Sequence, residues 1–161
     1  MNKRLPTYAL LSVVLFFGMY SCGSNDANTS NATIIGTWQL QQEFSNEGED
    51  TPFKEFPLSP CEKLTTLEVL VTRKFVENSY YEDFGTGGEC IKHTEETRGG
   101  WKEESDGGYY FSYEKKNLLS FTKSDAILKD GNLEITVVYN DPDVGDDTTL
   151  KFIYSRMQST N

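Results

Sequence analysis

The sequence predicts an all-β domain of nine or so short strands in an antiparallel meander, which can close into a β-barrel. Three observations carry the prediction. Short segments alternate apolar and polar residues with the period of two that a half-buried strand requires. Turn-forming residues separate those segments at short intervals. Outside the N-terminal apolar run, no stretch has the periodicity of an amphipathic helix. Strands that follow one another without helical crossovers form a meander, and closing a meander into a barrel removes its unpaired edges. A sandwich satisfies the same pattern and stays open as the structural alternative.

Residues 33–44, TIIGTWQLQQEF, open the series. Alternation puts Ile34, Gly36, Trp38, Leu40 and Phe44 on one face, and Thr37, Gln39, Gln41 and Glu43 on the other. Thr65, Leu67, Val69 and Val71 repeat the pattern, broken only by Leu70. Residues 75–81 are β-prone but mixed in polarity, so a strand is expected there without an assigned facing. A weaker strand is expected at 90–97, followed after Gly99-Gly100 by one at 101–104. Gly107-Gly108 reads as a turn into YYFSY, where Tyr109, Phe111 and Tyr113 share a face, and Leu119 and Phe121 mark the next run. Residues 126–129 and 133–139 flank Asp130-Gly131-Asn132, a hairpin signal because these residues tolerate positive φ. The last strand, 148–156, turns Leu150, Phe152 and Tyr154 inward.

The N-terminus has a different logic. Lys3 and Arg4 precede the mostly apolar YALLSVVLFFGMY, which ends in small Ser21, the layout of a secretory signal. Its thirteen residues fall short of the roughly 20 that span a bilayer as a helix. Cys22 directly after Ser21 resembles the lipobox of bacterial lipoproteins, although Met19 stands where that pattern prefers Leu. The resemblance implies a signal peptide over 1–21, cleavage before Cys22 and acylation of that cysteine. The chain would then meet its membrane partner through the lipid anchor, with Gly23 rather than Asp after Cys22 pointing to the outer membrane. Residues 22–32 are small and polar and read as a flexible tether, leaving 33–157 as the domain. Three cysteines are present. With Cys22 lipidated, Cys61 and Cys90 remain as one pair in an oxidising, exported setting.

The charge balance narrows the partners. Of the 15 basic residues, Lys3 and Arg4 leave with the signal, so 13 face 25 acidic ones. Such a surface repels phosphates, which argues against nucleic acid and against direct adhesion to anionic lipid.

Gly36-Thr37-Trp38, with Trp38 on the apolar face, resembles the Gly-x-Trp motif of lipocalins. Cys61 before LTTLEVLV, then Phe75, Cys90 and Gly99-Gly100-Trp101, extends the resemblance to small lipocalin-like lipoproteins of Gram-negative bacteria over residues 33–157. The long connection 45–59 and the absence of an Asp-Gly turn between Val71 and Phe75 depart from the expected pattern. The resemblance implies an antiparallel up-and-down β-barrel, lipocalin-like and of about eight strands, whose closed end Trp38 plugs, with Gly36 as part of that base. It also implies a binder of a small apolar or amphipathic molecule, and no enzyme.

A barrel of this size holds one small ligand or is filled by its own side chains. Phe75, Tyr109, Phe111, Tyr113, Phe121, Phe152 and Tyr154 are the expected lining or filling. Phe53 and Phe56, among Pro52, Pro57 and Pro60, are candidates for a lid, with a solvated loop as the alternative. Cys90-Ile91-Lys92-His93 has a spacing compatible with zinc, in competition with the disulfide. Asp141, Asp143, Asp146 and Asp147 surround Gly145 without the full calcium-loop spacing, so a solvated turn is expected. There is no nucleophile elbow, no phosphate loop and only one histidine. No catalytic residues, metal or cofactor are therefore expected. A filled barrel serving as a non-enzymatic interaction module of the cell envelope is the second functional reading.

Overall fold

The structure, a computed structural model, describes residues 33–47, 51–114, 123–140 and 147–158. The signal, Cys22, the tether, Phe121 with its expected strand, and Asp141, Asp143 and Asp146 lie outside the described residues. Among the described residues eleven strands are formed: β1 (Gly36–Glu47), β2 (Lys54–Phe56), β3 (Thr66–Val69), β4 (Lys74–Asn78), β5 (Tyr80–Asp83), β6 (Glu89–Lys92), β7 (Thr97–Glu103), β8 (Tyr109–Tyr113), β9 (Lys123–Lys129), β10 (Asn132–Asn140) and β11 (Asp147–Arg156). Neighbours in the main sheet run β11-β10-β9-β8-β7-β4-β3-β1, and β11 pairs back onto β1. All these pairings are antiparallel. The result is a closed, eight-stranded, lipocalin-like up-and-down barrel, and the sandwich alternative is excluded. β2 adds to the free half of β1, and β5 with β6 forms a separate hairpin.

One end is closed by tight turns. β9 and β10 are joined by Asp130 and Gly131 alone, both at positive φ (52° and 80°), the backbone that a two-residue hairpin demands. Between β3 and β4, Arg73 takes positive φ (62°) without being glycine. That conformation is held from outside: Trp101 N–H donates to the Arg73 carbonyl (3.0 Å), Trp101 Nε1 donates to the Leu70 carbonyl (3.0 Å), and the Arg73 guanidinium lies 4.4 Å from the Trp101 ring centre.

Trp38 has a parallel arrangement at the same end. Its ring is buried (1% exposed), Nε1 donates to the Ile34 carbonyl (2.8 Å), and the Arg156 guanidinium covers it at 4.2 Å. Arg156 also donates to the carbonyls of Ile35 and Thr33, which ties the start of the domain to its last strand. Gly36 makes this packing fit, because a Cβ there would lie 2.4 Å from Arg156 Nη1. Trp38 therefore caps the floor of the barrel, and the Gly-x-Trp spacing has a steric reason.

Three local expectations are corrected. The pairing of β1 with β11 shifts between Leu40 and Gln42, a β-bulge. Beyond it the faces exchange: Glu43, opposite Phe152, turns inward, and Phe44, opposite Lys151, turns outward. The weak strand over 90–97 is two elements, since β6 pairs with β5 and β7 pairs with β4. Gly99 and Gly100 lie inside β7 rather than before it. At Gly99 a Cβ would meet the Ser112 carbonyl at 2.1 Å and the Phe75 ring at 2.5 Å, so the missing side chain is what lets the Phe75 ring lie flat across the strand.

The floor is packed. Phe75 meets Phe111 at 5.0 Å and Tyr113 at 5.2 Å between ring centres. Trp38, Leu67, Val69, Phe111 and Leu133 complete one continuous core. At the opposite end the strands feed the longer connections, and there the packing stops.

Candidate functional site: a carboxylate-lined cavity

An open cavity of about 880 Å³ runs from the mouth into the upper half of the barrel. Its wall is built by period two on five strands: Leu40 and Glu43 on β1, Glu77 on β4, Tyr113 on β8, Ile135 on β10, Phe152 and Tyr154 on β11. Glu77 points inward because it is two residues beyond Phe75, whose ring is fixed in the floor. The mouth is formed by Leu58, Glu62, Tyr80, residues 93–98 and Glu114.

The mouth is organised by two devices. Ser59 and Glu62 cap the 3₁₀ turn Glu62–Leu64 reciprocally: the Ser59 N–H donates to Glu62 Oε2 (2.7 Å) and the Glu62 N–H donates to Ser59 Oγ (3.2 Å). The Cys61–Cys90 disulfide then fastens the β5–β6 hairpin to that turn. Both sulfurs are thereby committed, which removes the zinc alternative. His93 packs against Tyr81 at 4.6 Å between ring centres, and no group of three His, Cys, Asp or Glu side chains suited to a metal ion exists among the described residues.

Glu77 is the carboxylate on the cavity wall next above the Phe75 floor. It faces the cavity and is enclosed by protein elsewhere. Tyr154 Oη donates to its Oε2 (2.9 Å) and Ser79 Oγ donates to its Oε1 (3.2 Å). Burial pushes its pKa up, and the two hydroxyl donors oppose that shift without cancelling it. Glu43 is raised as well, first by burial and then by the nearby charge of Glu62. Tyr154 is pushed well above the usual phenol value by burial and by Glu77, and Tyr113 is raised chiefly by burial. Tyr113 Oη also shares a hydrogen bond with Ser124 Oγ at 3.0 Å. The walls are thus aromatic and aliphatic, with hydroxyls and carboxylates at set heights.

Of the residues expected to line or fill the barrel, Tyr113, Phe152 and Tyr154 border the cavity. Phe75 and Phe111 are packed into the floor, and Tyr109 sits lower, edge-on to Trp101 at 6.0 Å. Phe53 lies under the Lys151 ammonium (4.6 Å) on the outer face, and it and Phe56 are exposed on or beside β2. It is Leu58 of this connection that reaches the mouth. Glu77 and Glu43 were not visible as site residues in the sequence. Two-residue spacing from Phe75 is a signal for Glu77, whereas Glu43 is turned inward by a bulge that no motif marks.

No protein-family model matches the chain, and no curated protein matches it. The architecture is a lipocalin-like barrel with a packed floor, a cross-linked mouth and a large cavity open at that mouth.

Proposed function

We propose that the protein is an exported, lipid-anchored member of the lipocalin-like lipoproteins that holds a small amphipathic molecule inside its barrel. The cavity carries this reading: about 880 Å³ is well above the roughly 300 Å³ at which ligand pockets begin. Its mixed lining, aromatic walls with a few convergent polar groups, is the usual chemistry of such pockets. A filled barrel acting only as an interaction module fits the floor but not this space. The disulfide belongs to an oxidising, exported compartment. Among the described residues no helix is long and apolar enough to cross a membrane. The proposed anchorage rests on the lipobox-like Ser21-Cys22 and on the acyl chains that Cys22 would carry.

Native mass spectrometry of the domain from Asn25 onward, purified from its host, tests the binding role. A small molecule that co-purifies and is released on unfolding is the expected result. A protein bound in its place, with the barrel empty, would overturn it. Anchorage is tested separately, since Cys22→Ala should move the processed protein from the membrane fraction to the soluble one.

A further inference from the structure

We infer that the ligand is a cationic amphiphile, an amine or quaternary ammonium on an apolar body, whose charge is met by Glu77 at the base of the cavity with Glu43 above it. The inference rests on the binding role proposed above. Glu77 lies deep in the barrel, faces the cavity, and has two neutral hydroxyls as its hydrogen-bond partners. Arg98 is the only Lys or Arg among the described residues lining the cavity. It is at the mouth, with its side chain 57% exposed and in contact with Glu96. Lys74 and Lys92 likewise serve carboxylates at the mouth, Glu114 and Glu96. Among the described residues these cations pair with carboxylates at the mouth, and none forms an ion pair with Glu77 or Glu43.

Geometry and charge agree on what that is. A carboxylate enclosed by low-dielectric walls favours a cation far more than the same group at the surface does, and it repels a fatty acid or phosphate equally strongly. Tyr113, Phe152 and Tyr154 line the same cavity, and aromatic side chains suit an apolar body and can attract an ammonium by cation–π contact. The net charge of −10 raises the local concentration of cations around the whole molecule.

A matched series tests the head group: 4-phenylbutylamine, 4-phenylbutanol and 4-phenylbutanoate, measured by isothermal titration calorimetry on the protein expressed from the full sequence. The amine should bind about tenfold or more tighter than the alcohol at pH 8, with the carboxylate weakest. Glu77→Gln should reduce the amine's advantage over the alcohol to about threefold or less. Where that variant does not fold, Glu43→Gln gives the readout, with a smaller loss of amine preference. Equal binding of alcohol and amine, tighter binding of the carboxylate, or an amine preference that survives both substitutions would overturn the inference while the cavity's binding role stood. If none of the three compounds binds, the binding role itself falls, and this inference with it.

Discussion

Removing the disulfide by Cys61→Ala with Cys90→Ala should cost a calculable share of stability and loosen one identifiable part of the molecule. The bond joins residues separated by 29 positions. For a loop of that length the chain-entropy relation gives about 12 cal/mol/K, or about 3.6 kcal/mol at 25 °C. With a urea m-value of about 2 kcal/mol/M for a domain of this size, the unfolding midpoint should fall by about 2 M. The barrel closes without the bond, because β11 pairs with β1 along residues 38–47 and neither cysteine lies on either strand. The hairpin of β5 and β6 depends on it more. Its remaining ties at this junction include Tyr80 N–H to Thr65 Oγ1 (3.2 Å) and His93 N–H to the Ser79 carbonyl (2.9 Å), each worth about 1 kcal/mol. Hydrogen exchange should therefore rise in residues 80–92 while β10 and β11 stay protected, and wild-type protein in reductant should behave like the double variant. A midpoint shift below about 0.5 M, or exchange that rises equally throughout the barrel, would refute the view that the bond is a local tie between hairpin and capped turn.

Other perturbations probe the cavity and the floor. Burial keeps Glu77 and Glu43 protonated to higher pH than in the unfolded chain, so the folded state binds more protons above the ordinary value of 4.5. Their contribution to stability should accordingly fall as pH rises through that window. Glu77→Gln should flatten this slope and stabilise the ligand-free protein by about 1 kcal/mol at pH 8 in urea titrations, and a less stable variant at that pH would contradict the account. Gly99→Ala should cost about 3 kcal/mol in thermal or urea unfolding, because the added methyl meets the Ser112 carbonyl and the Phe75 ring. A neutral result would mean that β7 and β8 can separate freely. Arg156→Lys keeps the charge but not the fork that reaches Ile35 and Thr33, and should cost about 1 to 2 kcal/mol with faster exchange at the Trp38 end. Unchanged stability would show that the Arg156 stack on Trp38 is incidental.

What was legible in the sequence follows the physics of each element. Leu133, Ile135 and Val137 alternate without interruption and pair in register with both neighbours, so the pattern and the strand coincide. Asp130-Gly131 fixes its own turn through positive φ. The glycine two positions before Trp38 is called for by its backbone, at φ 144°, which side-chain-bearing residues rarely adopt. The failures occur where tertiary contacts override local pattern. Gln41, Gln42 and Glu43 are three polar residues in a row, and only pairing with β11 determines where the extra residue of the bulge goes. Gly99-Gly100 looks like a break, yet it is a strand thinned to admit an aromatic ring. Arg73 supports a left-handed turn that sequence rules assign to Gly or Asn, because Trp101 on a strand distant in sequence holds it. The cavity was the least legible feature, since aromatic residues that fill a barrel and aromatic residues that line one have the same spacing.

The two ends of the barrel bear on each other energetically. The floor concentrates favourable terms: a dry aromatic core, two Arg–Trp stacks and two close backbone approaches made possible by Gly36 and Gly99. The upper half concentrates unfavourable ones, with Glu77 and Glu43 both desolvated and Glu43 further opposed by Glu62. Replacing buried charged groups by well-packed apolar residues is often neutral or stabilising, so stability alone gives no reason to keep carboxylates on the cavity wall. Nor do they organise the barrel, whose closure follows from backbone pairing of β1 with β11 and whose floor packs without them. Departures from local consistency of this kind collect at functional sites, where a ligand supplies the missing interaction. A cation seated on Glu77 would do so in two ways: it removes the penalty of the buried charge, and it couples binding to release of the proton that burial retains there. The ligand-bound barrel should therefore be most stabilised above the pH at which Glu77 ionises, the range in which the empty barrel is weakest.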